Sequence, residues 1–218
     1  MISLVKGGFM RRFFLLIICL LACLSFIVSC DDDPVGPPKD VDSLSISGFP
    51  SMSDIWWKYQ VFDSLNGLYD TVLVACEGNE SLSDGRNTII WVYHYKTYED
   101  SFYVHKGNDS IFFYHDTSGV NPYRIYVFPL ALGRLWTFGM SPYDTIRVTE
   151  KGTVSTPAGN FGNSFLVSTH WGFIDAAGDE DIWISKGIGI VKERIDHITI
   201  AGRTLKKWVL IDYQPPLL

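Results

Sequence analysis

Residues 204–213 read Thr-Leu-Lys-Lys-Trp-Val-Leu-Ile-Asp-Tyr, TLKKWVLIDY. Successive side chains of a strand point to opposite faces, so the segment divides into two sets. Leu205, Val209, Ile211 and Tyr213 share one face, with Lys207 among them near the strand start. Lys206, Trp208, Leu210 and Asp212 share the other. Neither set is purely polar. A sheet that is apolar on both faces must cover both, by packing a second layer or by curling around its own interior.

The same period of two runs from Asp54 to the end of the chain, and no convincing amphipathic helix interrupts it. It predicts strands over Ile55–Phe62, Asp70–Cys76, Thr88–Tyr95, Ser101–His105, Ser110–His115 and Tyr123–Phe128. Six more follow at Leu135–Phe138, Asp144–Val154, Ser164–Thr169, Asp181–Ser185, Ile188–Arg194 and Thr204–Tyr213. β-Branched and aromatic residues dominate these runs, as a pleated, half-buried surface requires. Turn signals separate them: Asn66-Gly67, Asp84-Gly85, Gly107-Asn108, Pro157-Ala158-Gly159 and Gly178-Asp179. The expected fold is all-β, an antiparallel and strongly curved sheet of half-barrel or barrel-like form. A two-sheet β-sandwich is the alternative.

The amino-terminal 50 residues are of a different kind. Phe13 to Val28 is an apolar run behind Arg11 and Arg12, with Met10 an alternative start directly before the basic pair. This is the pattern of an export signal. The run has 16 residues, short of the roughly 20 that span a bilayer as a helix. It ends in Ile27-Val28-Ser29-Cys30, which resembles the lipobox of bacterial lipoproteins. In proteins with that motif the cysteine thiol is diacylglycerylated and the bond before it is cut. The resemblance implies that residues 1–29 are a signal peptide and that Cys30 carries the lipid that holds the protein to a membrane. An ordinary signal peptide with an incidental cysteine is the competing reading.

Residues 31–50, DDDPVGPPKDVDSLSISGFP, hold four prolines and two glycines with little apolar periodicity. They read as an extended tether, which leaves residues 51–218 as one domain. The acidic start resembles that of surface-exposed lipoproteins of Bacteroidota-like bacteria. Asp31 alone points instead to retention at the inner membrane under the enterobacterial rule. The outer membrane, at its periplasmic or surface face, is the expected address.

The full chain has 18 basic and 24 acidic residues. Lys6, Arg11 and Arg12 leave with the signal, so the remaining 189 residues hold 15 against 24, a net charge of −9. An acidic surface excludes nucleic acid as a partner and weakens docking on anionic lipid by charge. Contact with the membrane is expected through the lipid on Cys30. Cys19 and Cys23 also leave, and Cys76 alone remains, so no internal disulfide can form. Cys76 sits in an apolar run with no basic neighbour in sequence, the setting of an inert buried thiol.

Three segments of the C-terminal half carry a family resemblance. They are Phe128-Pro129-Leu130 with Gly133 and Trp136, then Thr156-Pro157-Ala158-Gly159-Asn160-Phe161, then Trp183 with Gly187-Ile188-Gly189-Ile190-Val191-Lys192-Glu193. Together, over about residues 125–213, they resemble uncharacterised bacterial envelope lipoproteins with a TPAG-x-F turn and a GxGxVK strand. Neighbouring families with that turn have a fold like the curved half-barrel of Lol-type lipoprotein carriers. The resemblance implies turn-forming roles for Pro157 and Gly159, close packing or a bend at Gly187 and Gly189, and no catalytic residue. Gly187-x-Gly189 lacks the third glycine and the following helix of a dinucleotide fingerprint.

Few residues suggest chemistry. His94, His105 and His115 recur on three successive strands, where an imidazole cluster for zinc or copper is one reading and separate half-exposed residues the commoner one. Asp175 to Asp181 concentrates four carboxylates, which suit calcium in type but fit no EF-hand spacing. No cofactor is expected. All seven tryptophans follow the signal, among 28 aromatics in the 189 residues. Trp57, Trp136, Trp183 and Trp208 sit in strand-like runs and are the candidate core or cavity residues. The reading is a non-enzymatic envelope lipoprotein that binds an apolar small molecule or an envelope protein. A lipid-tethered hydrolase or sugar-active enzyme is the alternative, and a structural subunit of a surface complex the third. A cleft with two convergent carboxylates favours the enzyme, and an aromatic-lined cavity favours the binder.

Overall fold

The computed structural model describes residues 43–65, 67–138, 145–173 and 175–214, with Leu68 and Phe173 by their backbone alone. The signal peptide, Cys30, the tether to residue 42, Asn66 and Asp144 lie outside them. The described chain is all-β apart from one turn of 3-10 helix at Ile46–Gly48.

Fourteen strands follow in order: β1 Ser43–Leu44, β2 Trp56–Asp63, β3 Leu68–Ser81, β4 Asn87–His94, β5 Glu99–Lys106, β6 Ser110–Tyr114 and β7 Arg124–Val127. Then come β8 Leu130–Ala131, β9 Leu135–Thr137, β10 Thr145–Thr156, β11 Gly159–Phe173, β12 Ala176–Ser185, β13 Gly189–Thr199 and β14 Gly202–Tyr213. Twelve of them form one antiparallel sheet in the order β7-β6-β5-β4-β3-β2-β14-β13-β12-β11-β10-β9. The topology is two meanders joined by the pairing of β2 with β14, in which Trp208 faces Val61 and Leu210 faces Tyr59.

The sheet curls until its edges approach. The indole Nε1 of Trp136 on β9 donates to the carbonyl oxygen of Ile125 on β7 at 3.3 Å, so a side chain rather than a backbone ladder joins the seam. The result is a nearly closed barrel. The sandwich alternative does not occur, because all twelve long-sheet strands belong to one continuous ladder. A pleat twisted across twelve strands closes on itself and so buries one whole face without a second sheet.

Alternation assigns the inner face. Trp57, Tyr59, Val72, Val74, Trp91, Val104, Ile111, Phe113, Val148, Val167, Ile182 and Ile184 are buried there. Their packing fills the interior and continues to one end of the barrel, the end of the Ser185–Gly189 turn. Ser43–Pro50, which the sequence reading assigns to the tether, belongs to this end. Leu44 and Phe49 are each 1% exposed, and β1 pairs with β8 through Ser43–Ala131 and Leu44–Leu130. Their polar neighbours conceal two core residues that are spaced too irregularly to show a period.

The Phe49 ring lies parallel to Trp91 at 6.2 Å and edge-on to Phe128 at 6.0 Å. Gly187 N donates to Gly48 O at 2.7 Å. Gly189 has φ 88°, and a Cβ built on it would lie 2.9 Å from Pro50 Cγ, so backbone conformation and space both demand glycine. Thr156 pairs with Gly159 across the two-residue β10–β11 hairpin, where Gly159 has φ 140°.

Candidate functional site

The opposite end of the barrel differs, because inward-facing positions there carry charge. One register row crosses the inner wall through Val148, Val167, Ile182, Glu193, Trp208 and Val61. The next row toward the end runs through Ile146, Thr169, Glu180, Ile195, Lys206 and Asp63. From β7, beside Phe113, Arg124 faces both. Its Nη2 donates to Glu193 Oε1 at 2.5 Å and to Glu180 Oε2 at 3.5 Å. Side-chain exposures are 13% for Arg124, 10% for Glu193 and 21% for Glu180, so the triad is largely shielded from water.

Shielding sets the electrostatics. Burial pushes the Glu193 carboxyl up and Arg124 pulls it back, with the net result above the usual carboxylate range. For Arg124, burial opposes the charge, but Glu193 above all holds the guanidinium protonated, well above its ordinary value. Burial likewise raises Tyr59, Tyr93, Tyr123 and Tyr126, which keep their hydroxyl protons. Tyr59 Oη spends its proton on the carbonyl of Ile190 at 2.7 Å. The buried Tyr126 hydroxyl has no partner among the described residues.

Aromatic rings adjoin the triad in a continuous series that starts at Tyr123. His115 stacks on Tyr123 at 4.2 Å, and Phe102 lies 5.0 Å from both Tyr123 and Tyr93. Tyr93 meets Trp208 edge-on at 6.1 Å, and Trp208 meets Tyr59 at 5.8 Å. Register places Tyr93, Phe102 and Trp208 on the inner face, yet all three are only half-buried. Inward side chains that solvent still reaches define a mouth, lined by aromatics beside the Arg124 triad, whose guanidinium lies over the Tyr123 ring at 5.8 Å.

The four tryptophans singled out in the sequence do not share one site. Trp57 is 2% exposed, donates its Nε1 to Ile188 O at 2.6 Å and packs 4.7 Å from Trp91, so it is core. Trp208 lines the mouth and Trp136 holds the seam. Trp183 pairs with Leu166 and Lys192, on the face opposite Ile182.

The histidines also stay apart. His94 Nε2 and Nδ1 bond Glu77 at 2.6 Å and Glu99 at 2.8 Å. His105 Nδ1 lies 2.8 Å from Asn87 O, and His115 stacks on Tyr123. The acidic stretch divides by alternation. Glu180 faces inward, while Asp179 meets His170 and Asp181 meets Ser168 and Arg194 on the outside. Cys76 is buried and its thiol is pushed up to about 12, the state of an inert thiol at neutral pH.

Sequence reasoning missed Arg124 and Glu193. Each is a lone charge at an inward position of an otherwise apolar run: Arg124 alternates with Tyr126 and Phe128, and Glu193 with Val191. That signal was present. Their pairing was not, since it depends on closure of the sheet.

No family model matches the chain, and no curated protein matches it. Two solved structures are similar in outline. One is an inferred lipoprotein of Parabacteroides distasonis ATCC 8503, at 13% identity and TM-score 0.45, covering 80% of this chain and all of the other. The second is an inferred exported protein with a YmcC-like fold from Bacteroides fragilis NCTC 9343. It has 11% identity, TM-score 0.46, and coverage of 76% of this chain and 98% of its own. Neither value carries an inference about this chain.

Proposed function

We propose that this protein is an exported, lipid-anchored binding protein of the cell envelope, whose barrel takes the apolar part of a ligand at its aromatic mouth. The observation that supports binding is the set of inward yet half-buried rings, Tyr93, Phe102 and Trp208, beside a shielded ion triad. The lipobox at Cys30 supplies the anchor in this reading. Binding is favoured over hydrolysis by the state of the two convergent carboxylates. Glu180 and Glu193 are both engaged by Arg124, which leaves neither free to move protons on a substrate.

Of the four tryptophans considered as ligand residues, Trp208 fits this role, while Trp136 holds the seam, Trp57 belongs to the core and Trp183 to the outer face. The test is titration of the full chain with a fluorescent fatty-acid probe. Trp208→Ala is expected to weaken probe binding about tenfold, roughly the loss of one well-packed aromatic contact. Equal binding by the parent and Trp208→Ala, or no saturable binding by the parent, refutes the mouth as the site.

A further inference from the structure

The outer wall carries a second concavity that the mouth does not explain. One register row crosses five strands as Asp212, Lys58, Leu73, His94 and Glu99, on the face opposite Tyr59 and Val74. Around it lies a cleft of about 520 Å³, within the span of small-molecule sites. Its walls include the half-buried rings of Trp56 and Tyr95, and Leu73 is 37% exposed on its floor. An outer strand surface needs no tryptophan and leucine side by side, so the apolar floor has no folding role that its burial explains.

The charges in the cleft are unequal in their commitments. His94 is taken by Glu77 and Glu99, and Asp212 Oδ1 accepts the backbone N–H of Tyr213 at 2.9 Å. Lys58 and Lys96, both exposed, have no hydrogen-bond or ion-pair partner among the described residues. The cleft thus brings two uncommitted ammonium groups together with an indole and a phenol ring.

We propose that the outer cleft lined by Trp56, Leu73 and Tyr95, with Lys58 and Lys96 at its edge, binds an organic anion with a flat apolar body. The ring body lies against Trp56 and Leu73, where it removes apolar surface from water. The anionic group reaches the lysines, each a mobile point charge with three donors. The row through Asp212 and Glu99 sets limits on the anion: a second negative charge directed along the row meets carboxylates. A monoanion is the fitting class.

Two probes of one shape separate charge from apolar contact: naphthalene-2-sulfonate and its neutral analogue 2-naphthyl methyl sulfone. Calorimetric titration of the full chain should show both binding, the sulfonate more tightly. Lys58→Gln with Lys96→Gln should weaken the sulfonate about fivefold or more and leave the sulfone within about twofold, as loss of two exposed charge contacts implies. Raising salt from about 0.05 M to about 0.5 M should weaken the sulfonate alone. Trp56→Leu should weaken both. Because both lysines are exposed, their variants should keep the parent melting temperature. Equal affinity of the lysine double variant for the sulfonate overturns the anion assignment. Absence of saturable binding of either probe by the parent overturns the site. Trp208 lies edge-on to Tyr95 at 6.2 Å, so Phe102 serves as the mouth control. Unchanged sulfonate binding in Phe102→Ala keeps this cleft distinct from the mouth, and loss of sulfonate binding there assigns it to the mouth instead.

Discussion

Arg124 on β7 donates to Glu193 on β13 at 2.5 Å across the barrel interior, linking strands that are not neighbours in the sheet. The contact ties the first meander to the second on the side where the backbone ladder is interrupted. Trp136 and Ile125 make the other tie at the seam. A buried ion pair need not exceed the stability of an apolar substitute, but breaking one by removing a single partner is costly.

Arg124→Met should therefore destabilise the domain by about 3–5 kcal/mol at neutral pH, since it strands Glu193 and leaves Glu180 beside it. Glu193→Gln should cost less, because Arg124 keeps Glu180. The pH dependence has a definite sign. Glu193 already lies above the usual carboxylate range, and without Arg124 it rises further. A raised carboxyl favours the fold when protonated and loses that contribution as pH rises through its folded value. The Arg124→Met defect should thus shrink as pH is lowered toward 4, which denaturant melts at several pH values would reveal.

His94 offers a second pH-dependent contact, on the outer face. Burial pulls its pKa down, but the hydrogen bonds its ring donates to Glu99 and Glu77 outweigh burial, so the net shift is upward. A raised histidine stabilises the fold below its unfolded value and loses that contribution as pH rises through the folded one. Because the trio is largely exposed, the effect should be below about 1 kcal/mol. His94→Gln should flatten the stability profile between about pH 6 and pH 8, the range around an ordinary histidine. A parent profile that is already flat there would contradict the pairing.

The β12–β13 turn separates two effects of glycine. Gly187 has φ 75° with nothing within 4 Å of a built Cβ, whereas Gly189 has φ 88° and would place that Cβ 2.9 Å from Pro50 Cγ. Gly187→Ala should cost about 1 kcal/mol, from backbone strain alone. Gly189→Ala should cost clearly more, since it also pushes Pro50 and the Gly48–Phe49 segment off the barrel end. Equal losses in thermal melts would mean that the Pro50 contact contributes nothing.

How much of this was legible follows from range. All twelve predicted strands correspond to strands of the long sheet, because alternation is a local signal. Ile55–Phe62 and Ser164–Thr169, for example, correspond to Trp56–Asp63 and the longer Gly159–Phe173. The apolar character of both faces of TLKKWVLIDY also found its reason. Trp208 and Leu210 face the interior and Val209 lies outside beside Lys192, but a bulge between Leu210 and Asp212 breaks the alternation, so Asp212 turns out with Lys58 to the outer cleft instead of sharing the face of Leu210.

What stayed hidden depends on closure. Nothing in the sequence pairs Arg124 with Glu193, 69 residues on, or places Phe49 on Trp91. Trp57 and Trp208 look alike in sequence, and their different depths along the same inner wall decide that one is core and the other lines the mouth.

A lipid-anchored binding protein requires acylation of Cys30. Metabolic labelling of expressing cells with an alkynyl fatty acid, followed by fractionation, tests it directly. The account predicts that the parent chain is labelled and membrane-bound, and that Cys30→Ala loses both label and membrane association while the barrel keeps its melting transition. Unchanged labelling of Cys30→Ala, or a parent that takes no label, would contradict it.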